Sequence, residues 1–136
     1  MSRSGYSDDC DNWELIKWRG AVASAVRGKR GQAFLKEMLL SLDSLSTKSL
    51  ISGELYESGE VCAIGSVAIR WGMDVSKIDP YDRDTVANLF GIAPALAAEI
   101  MYVNDEDCVY WRTETPEQRW NRVRAWVGSK VISVGG

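Results

Sequence analysis

Apolar residues recur along this chain at intervals of three and four, the spacing that gathers side chains on one face of an α-helix. Leu15, Trp18, Val22 and Val26 form the first such stripe. Asp11 stands before it as an N-cap with Glu14 as its reciprocal partner, and Arg27-Gly28 closes it, so the pattern predicts a helix over 11–26. Phe34, Leu35, Met38, Leu39, Leu42 and Leu45 predict a second helix over 32–44. Its apolar face is broad enough for a central position, and the short 28–31 connection makes the two helices an antiparallel hairpin. Residues 46–64 carry a weaker signal. Leu50-Ile51 and Leu55-Tyr56 favour a short helix, with the alternative of a small β-hairpin pairing with 61–64 across Glu57-Ser58-Gly59.

Ile64, Val67, Ala68 and Trp71 then share one face of a helix over 62–71 that stops at Gly72. Gly65 inside it costs ~1 kcal/mol relative to alanine, which points to close approach of a neighbouring backbone. Asp79-Pro80 reads as an N-cap and first turn leading to Phe90, with Gly91 as the stop. Pro94 opens the next helix, carrying Leu96, Ala97, Ile100 and Met101 to about residue 103 with Asn104 as its C-terminal cap. A polar loop over 105–115 contains Val109, Tyr110 and Trp111. Thr115, Pro116 and Gln118 open the last helix, Trp120, Val123 and Val127 form its stripe, and Gly128 ends it. The expectation is a mainly α, compact bundle of about five or six short helices, optionally with one small β-hairpin. A polar arm (1–10) precedes a single helical domain (11–130), and 131–136 is expected to fray.

Composition narrows the chemistry. The 136 residues are 46% hydrophobic and 26% charged, as in an average globular domain. There is no run of ~18 apolar residues and no apolar stretch near the start, so neither a membrane span nor a signal peptide is expected. Histidine is absent, which removes Ser-His-Asp and Cys-His relays and the HExxH zinc motif. The three cysteines, Cys10, Cys62 and Cys108, form no CxxC pair and read as reduced thiols, Cys62 as a small buried side chain. No nucleotide loop or nucleophile elbow is present, so no cofactor, metal or catalytic residue is assigned. Paired carboxylates, Asp105 with Glu106 or Asp82 with Asp84, leave only a weak case for a hydrolase.

Charge is uneven. Residues 49–110 hold eleven acidic and three basic side chains, whereas 1–48 hold six and eight and 111–136 hold two and five. The acidic middle suits a basic protein surface or mimicry of nucleic-acid phosphates. Six tryptophans exceed what the core stripes need: Trp18, Trp71 and Trp120 fall on them, but Trp13, Trp111 and Trp126 do not. Because aromatics are enriched at binding hot spots, Trp13, Trp111 and Trp126, with Asp105, Glu106 and Asp107, are the candidate protein-binding residues. The alternative is nucleic-acid contact through Arg19, Arg27, Lys29 and Arg30 at the first turn and Arg119, Arg122 and Arg124 on the last helix, with Arg112 beside it. The stretch around Phe90-Gly91-Ile92 has helix-turn-helix spacing, yet its second helix carries no lysine or arginine, so it reads as a tight structural corner.

Several words of the sequence resemble a family of small hypothetical proteins encoded in phages and bacterial prophages. They are Ser2-Arg3-Ser4-Gly5-Tyr6-Ser7-Asp8-Asp9, Trp18-Arg19-Gly20-Ala21-Val22 and Arg27-Gly28-Lys29-Arg30-Gly31-Gln32-Ala33-Phe34-Leu35. Glu60-Val61-Cys62-Ala63-Ile64-Gly65, Phe90-Gly91-Ile92, Asn104-Asp105-Glu106 and Thr115-Pro116-Glu117-Gln118-Arg119-Trp120 extend the resemblance over nearly the whole chain. It implies a bacterial cytoplasm as workplace and a role in modulating host or phage machinery, and carries over no activity, cofactor or catalytic residue. The expected function is therefore a non-enzymatic protein that binds a host or phage protein, with nucleic-acid binding as the alternative.

Overall fold

The computed structural model describes residues 12–106 and 114–132, with side chains from residue 17 onward. Six helices and one two-stranded antiparallel sheet occupy them: α1 (Asn12–Arg27), α2 (Lys29–Ser44), β1 (Tyr56–Glu57), β2 (Glu60–Val61), α3 (Ala63–Trp71), α4 (Arg83–Phe90), α5 (Pro94–Asp105) and α6 (Pro116–Lys130). The fold is mainly α, as the periodicity predicts. No single helix among the described residues is long and apolar enough to cross a membrane.

Two helices organise the core. α2 packs against α1, α3 and α6, and α5 packs against α1, α3, α4 and α6. Phe34, Leu35, Met38 and Leu42 of α2 are buried together with Leu96, Ile100, Met101 and Val103 of α5. Val123 and Val127 of α6 and Ile64 and Val67 of α3 complete one continuous cluster. The stripe on α1 lies shallower, with Trp18, Val22 and Val26 all only half-buried. Trp71 also departs from its expected core place: it is exposed at the edge, tilted over Phe90 and edge-on to Phe34 with centroids 5.8 and 6.0 Å away.

The α1–α2 connection is shorter than the spacing suggests. Gly28 alone links the helices, and Gly31 lies within the first turn of α2. A β-carbon there would sit 1.8 Å from the Ala25 carbonyl oxygen, so its role is to let α1 and α2 cross closely. Gly65 plays the expected role on α3: a β-carbon would lie 1.9 Å from the Leu55 carbonyl oxygen.

Several boundaries are corrected. The favoured short helix in 46–64 is replaced by the hairpin, with Tyr56 opposite Val61 and Glu57 opposite Glu60. Ser58 and Gly59 both have positive φ (52° and 85°), the geometry of the tight turns that match strand twist. Before the hairpin, Leu50 N–H donates to the Pro116 carbonyl and Ile51 N–H to the Val61 carbonyl, so these residues serve long-range contacts instead of a local helix. α4 begins at Arg83, because Asp82 is the residue that accepts from Thr85 N–H; Asp79 instead closes a turn by accepting from Tyr81 N–H. Cys62 is the buried N-cap of α3, its sulfur accepting from Gly65 N–H. Gly128 does not end α6, which continues to Lys130. At the start of α6 the expected capping box is complete: Thr115 Oγ1 accepts from Gln118 N–H and Gln118 Oε1 accepts from Thr115 N–H. Past its end, Val131 packs on the core and Ile132 N–H donates to Gln32 Oε1, so this part of the tail is tied down. Residues 133–136 lie outside the described residues.

Candidate functional site

The basic residues of the sequence separate into two groups. On α6 every candidate arginine is engaged internally. Arg122 forms a two-pronged pair with Glu114 through Nε and Nη2 (2.7 and 2.9 Å), while Nη1 donates to the Val103 carbonyl and Nη2 also to that of Asn104, at the end of α5. Arg119 is buried, donates to the Leu50 carbonyl at 2.9 Å and lies 3.4 Å from Glu114. Arg124 pairs with Asp43 of α2 at 2.6 and 3.0 Å. These three arginines, read from the sequence as a nucleic-acid surface, thus tie α6 to α2, to the end of α5 and to the segment around Leu50. Arg112 lies outside the described residues.

Arg19, Arg27, Lys29 and Arg30 are different. All four are exposed, and with Lys130 they make no ion pair among the described residues. Arg27, Lys29, Arg30 and Lys130 come to one corner of the molecule because Gln32 stitches three helix ends together. Its Nε2 donates to the Val26 carbonyl at 2.7 Å and to the Lys130 carbonyl at 2.9 Å. Beside that corner runs a groove of about 350 Å³ between α1, α5 and α6. From α1 it receives Arg19, Val22, Ala23, Val26 and Arg27, the i, i+3, i+4, i+7, i+8 face of the helix. From α6 it receives Trp126 and Lys130, one turn apart, and from α5 Glu99. Its lining thus combines an apolar floor, a half-buried indole, three cations and one carboxylate. The volume falls within the ~300–1,000 Å³ of ligand pockets.

Helix-end electrostatics explain part of this charge, since cations in a last turn complement the macrodipole. Arg27 and Lys130 are such residues. Arg19 stands two turns before the end of α1, where that explanation no longer applies.

The remaining expected contact residues divide. Trp126 lies in the groove. Trp13 belongs to α1, but its side chain, like Trp111 and Asp107 as a whole, lies outside the described residues. Asp105 is half-buried, and its Oδ1 accepts from Gly53 N–H and from the Asn104 amide (3.1 and 2.8 Å). Glu106 is the C-terminal cap of α5, in place of Asn104. Asn104 is instead wholly buried inside α5: its Oδ1 accepts from Ala63 N–H at the start of α3 and its Nδ2 donates to the Ile51 carbonyl. The exposed acidic side chains of the middle are Glu54, Glu57 and Glu60 around the hairpin and Asp74, Asp79, Asp82 and Asp84 before and within α4. Sequence reasoning did not single out Lys130 or Glu99, although Trp126 and Lys130 stand one turn apart on α6.

The α4–α5 corner bends by 107°, within the range of a helix-turn-helix. Its second helix has Leu96, Ala97, Ala98, Ile100, Met101, Val103 and Asn104 buried and carries no lysine or arginine, so it packs as a core helix and offers a DNA groove no cation.

The Arg124 hydrogen bonds hold the Asp43 carboxyl below the ordinary aspartate value of 3.8, against the opposing effect of burial and helped by the charges of Arg124 and Lys48. A depressed folded-state value contributes stability above pH 3.8 that is lost as the pH falls through it. Asp82, bonded to Thr85, and Asp74, bonded to Ser76, are lowered in the same direction. Acid titration followed by circular dichroism is expected to show Asp43→Asn with a shallower loss of stability below pH 3.8 than the parent chain.

The chain matches no family model, no curated protein and no solved structure, so the residues of the groove themselves carry the functional argument.

Proposed function

We propose that the protein is a non-enzymatic, phage-type binding protein that modulates a host or phage protein in the bacterial cytoplasm, and that it engages this partner through the groove between α1, α5 and α6. One observation carries the choice of a protein over a nucleic acid. The α6 arginines needed for a continuous basic strip are held in internal pairs, leaving a mixed apolar and cationic groove around Trp126. Tryptophan and arginine beside an apolar floor are the composition of a protein hot spot. Phosphate tracking instead requires many free cations along one path. The carboxylate pairs considered for hydrolysis are drawn into turns and caps, Asp82 to Thr85 and Asp105 to Gly53, which favours a binding role over catalysis.

Affinity capture from nuclease-treated bacterial lysate tests the reading. The expected result is a discrete protein retained by the parent chain and lost with Arg19→Glu/Arg27→Glu/Lys130→Glu, while labelled 20-mer DNA and RNA bind no tighter than the ~10⁻⁴–10⁻⁶ M of non-specific association. Tighter nucleic-acid binding that weakens steeply between 50 and 200 mM salt would overturn it, as would capture indifferent to the triple reversal.

A further inference from the structure

The character of the groove narrows what it takes, given the reading above that it is the partner site. Three cations that make no ion pair among the described residues, Arg19, Arg27 and Lys130, surround an apolar floor, and Trp126 stands half-buried against it. Acidic groups alone would satisfy the cations but leave the floor wet, and a purely apolar segment would strip water from charges it could not pair. We infer that the occupant is a short acidic segment of the partner protein carrying one bulky apolar side chain. That side chain lies between Trp126 and the Val22 and Val26 floor, and flanking carboxylates meet Arg19 and Arg27 on one side and Lys130 on the other. The Gln32 stitch fixes α1 against α6 before any partner arrives, so little ordering remains to oppose binding.

The test is selection of a random dodecapeptide display library on the immobilised protein, followed by fluorescence anisotropy of the most enriched peptide. Enriched sequences are expected to place Asp or Glu around one Leu, Ile, Phe or Trp. Arg27→Glu/Lys130→Glu is expected to weaken the peptide at least about tenfold and to flatten its salt dependence. Trp126→Ala is expected to weaken it about tenfold with salt dependence retained, a split that a general loss of fold would not produce. Lys36→Glu, an exposed single charge reversal on α2 outside the groove's lining, serves as a control and is expected to bind as the parent does. Enrichment without acidic bias, or binding unchanged by Arg27→Glu/Lys130→Glu, overturns the proposed occupant. Displacement of the peptide by oligo-dT at lower concentration than by unlabelled peptide does so too. If lysate capture remains groove-dependent while display yields basic or neutral peptides, only the occupant is wrong; capture independent of the groove removes the underlying reading.

Discussion

Replacing Glu114 by alanine is expected to lower the unfolding free energy by about 3–5 kcal/mol, the usual cost of leaving buried charge without its partner. The Glu114 side chain is only 6% exposed and stands between Arg119 and Arg122, themselves 9% and 22% exposed. Without the carboxylate, two guanidinium groups remain close together with reduced access to water. The damage spreads beyond the pair. Arg122 holds the last carbonyls of α5, and Arg119 holds the Leu50 carbonyl ahead of the hairpin, so α6, α5 and the 50–61 segment loosen together. Urea denaturation is the appropriate measurement: the midpoint falls sharply, whereas Arg124→Ala, which breaks an exposed pair with Asp43, moves it much less. Equal effects from the two variants would show that the buried cluster has no special weight.

Asn104→Ala is expected to cost about 2–4 kcal/mol, since an orphaned buried donor or acceptor costs about 1–3 kcal/mol and this change leaves one buried donor and one partly buried acceptor without their partner. They are the Ala63 N–H and the Ile51 carbonyl. The Ala63 N–H belongs to the first turn of α3, where no intrahelical acceptor exists, so its only alternative is water at a wholly buried position. Native-state hydrogen exchange is expected to show faster exchange at the start of α3 in the variant, with the middle of α2 less affected. Combined with Glu114→Ala, the loss is expected to be less than additive, because both changes release the same end of α5. A cost below 1 kcal/mol would mean that water reaches Ala63 and Ile51 without disturbing the packing.

What the sequence makes legible here is what neighbours in the chain decide. The capping box of Thr115 and Gln118 and the stripes on α2, α3 and α6 follow from spacings of three and four, and Gly65 declares a close approach by being a costly residue in a helix. The misread positions are those where one local signal fits two uses. Asp79 and Asp82 both carry the side chain that closes a turn or caps a helix, and only Asp82 has Thr85 three residues on to accept from. Asn104 near a helix end looks like a cap, but its partners lie 41 and 53 residues away and turn it into a buried tie. The arginines of α6, alternating with tryptophans, suggest a polyanion surface until Asp43, 81 residues distant from Arg124, is brought across from α2. Of the groove's polar and aromatic residues, the sequence singles out Trp126 for protein contact and Arg19 and Arg27 for the nucleic-acid alternative. Their union with Glu99 and Lys130 depends on α1 lying across α5 and α6, which no stripe on a single helix specifies.

On the proposed function, a partner protein is recognised at the groove between α1, α5 and α6 rather than on the acidic hairpin or the Trp71 edge. Titration of ¹⁵N- and methyl-labelled protein with the display-selected acidic peptide addresses it directly. Saturable shifts are expected at the Trp126 indole N–H and the Val22 and Val26 methyl groups, with the Trp71 indole and the Glu57 and Glu60 amides unmoved. Shifts centred on the hairpin or on Trp71, with Trp126 silent, would contradict it.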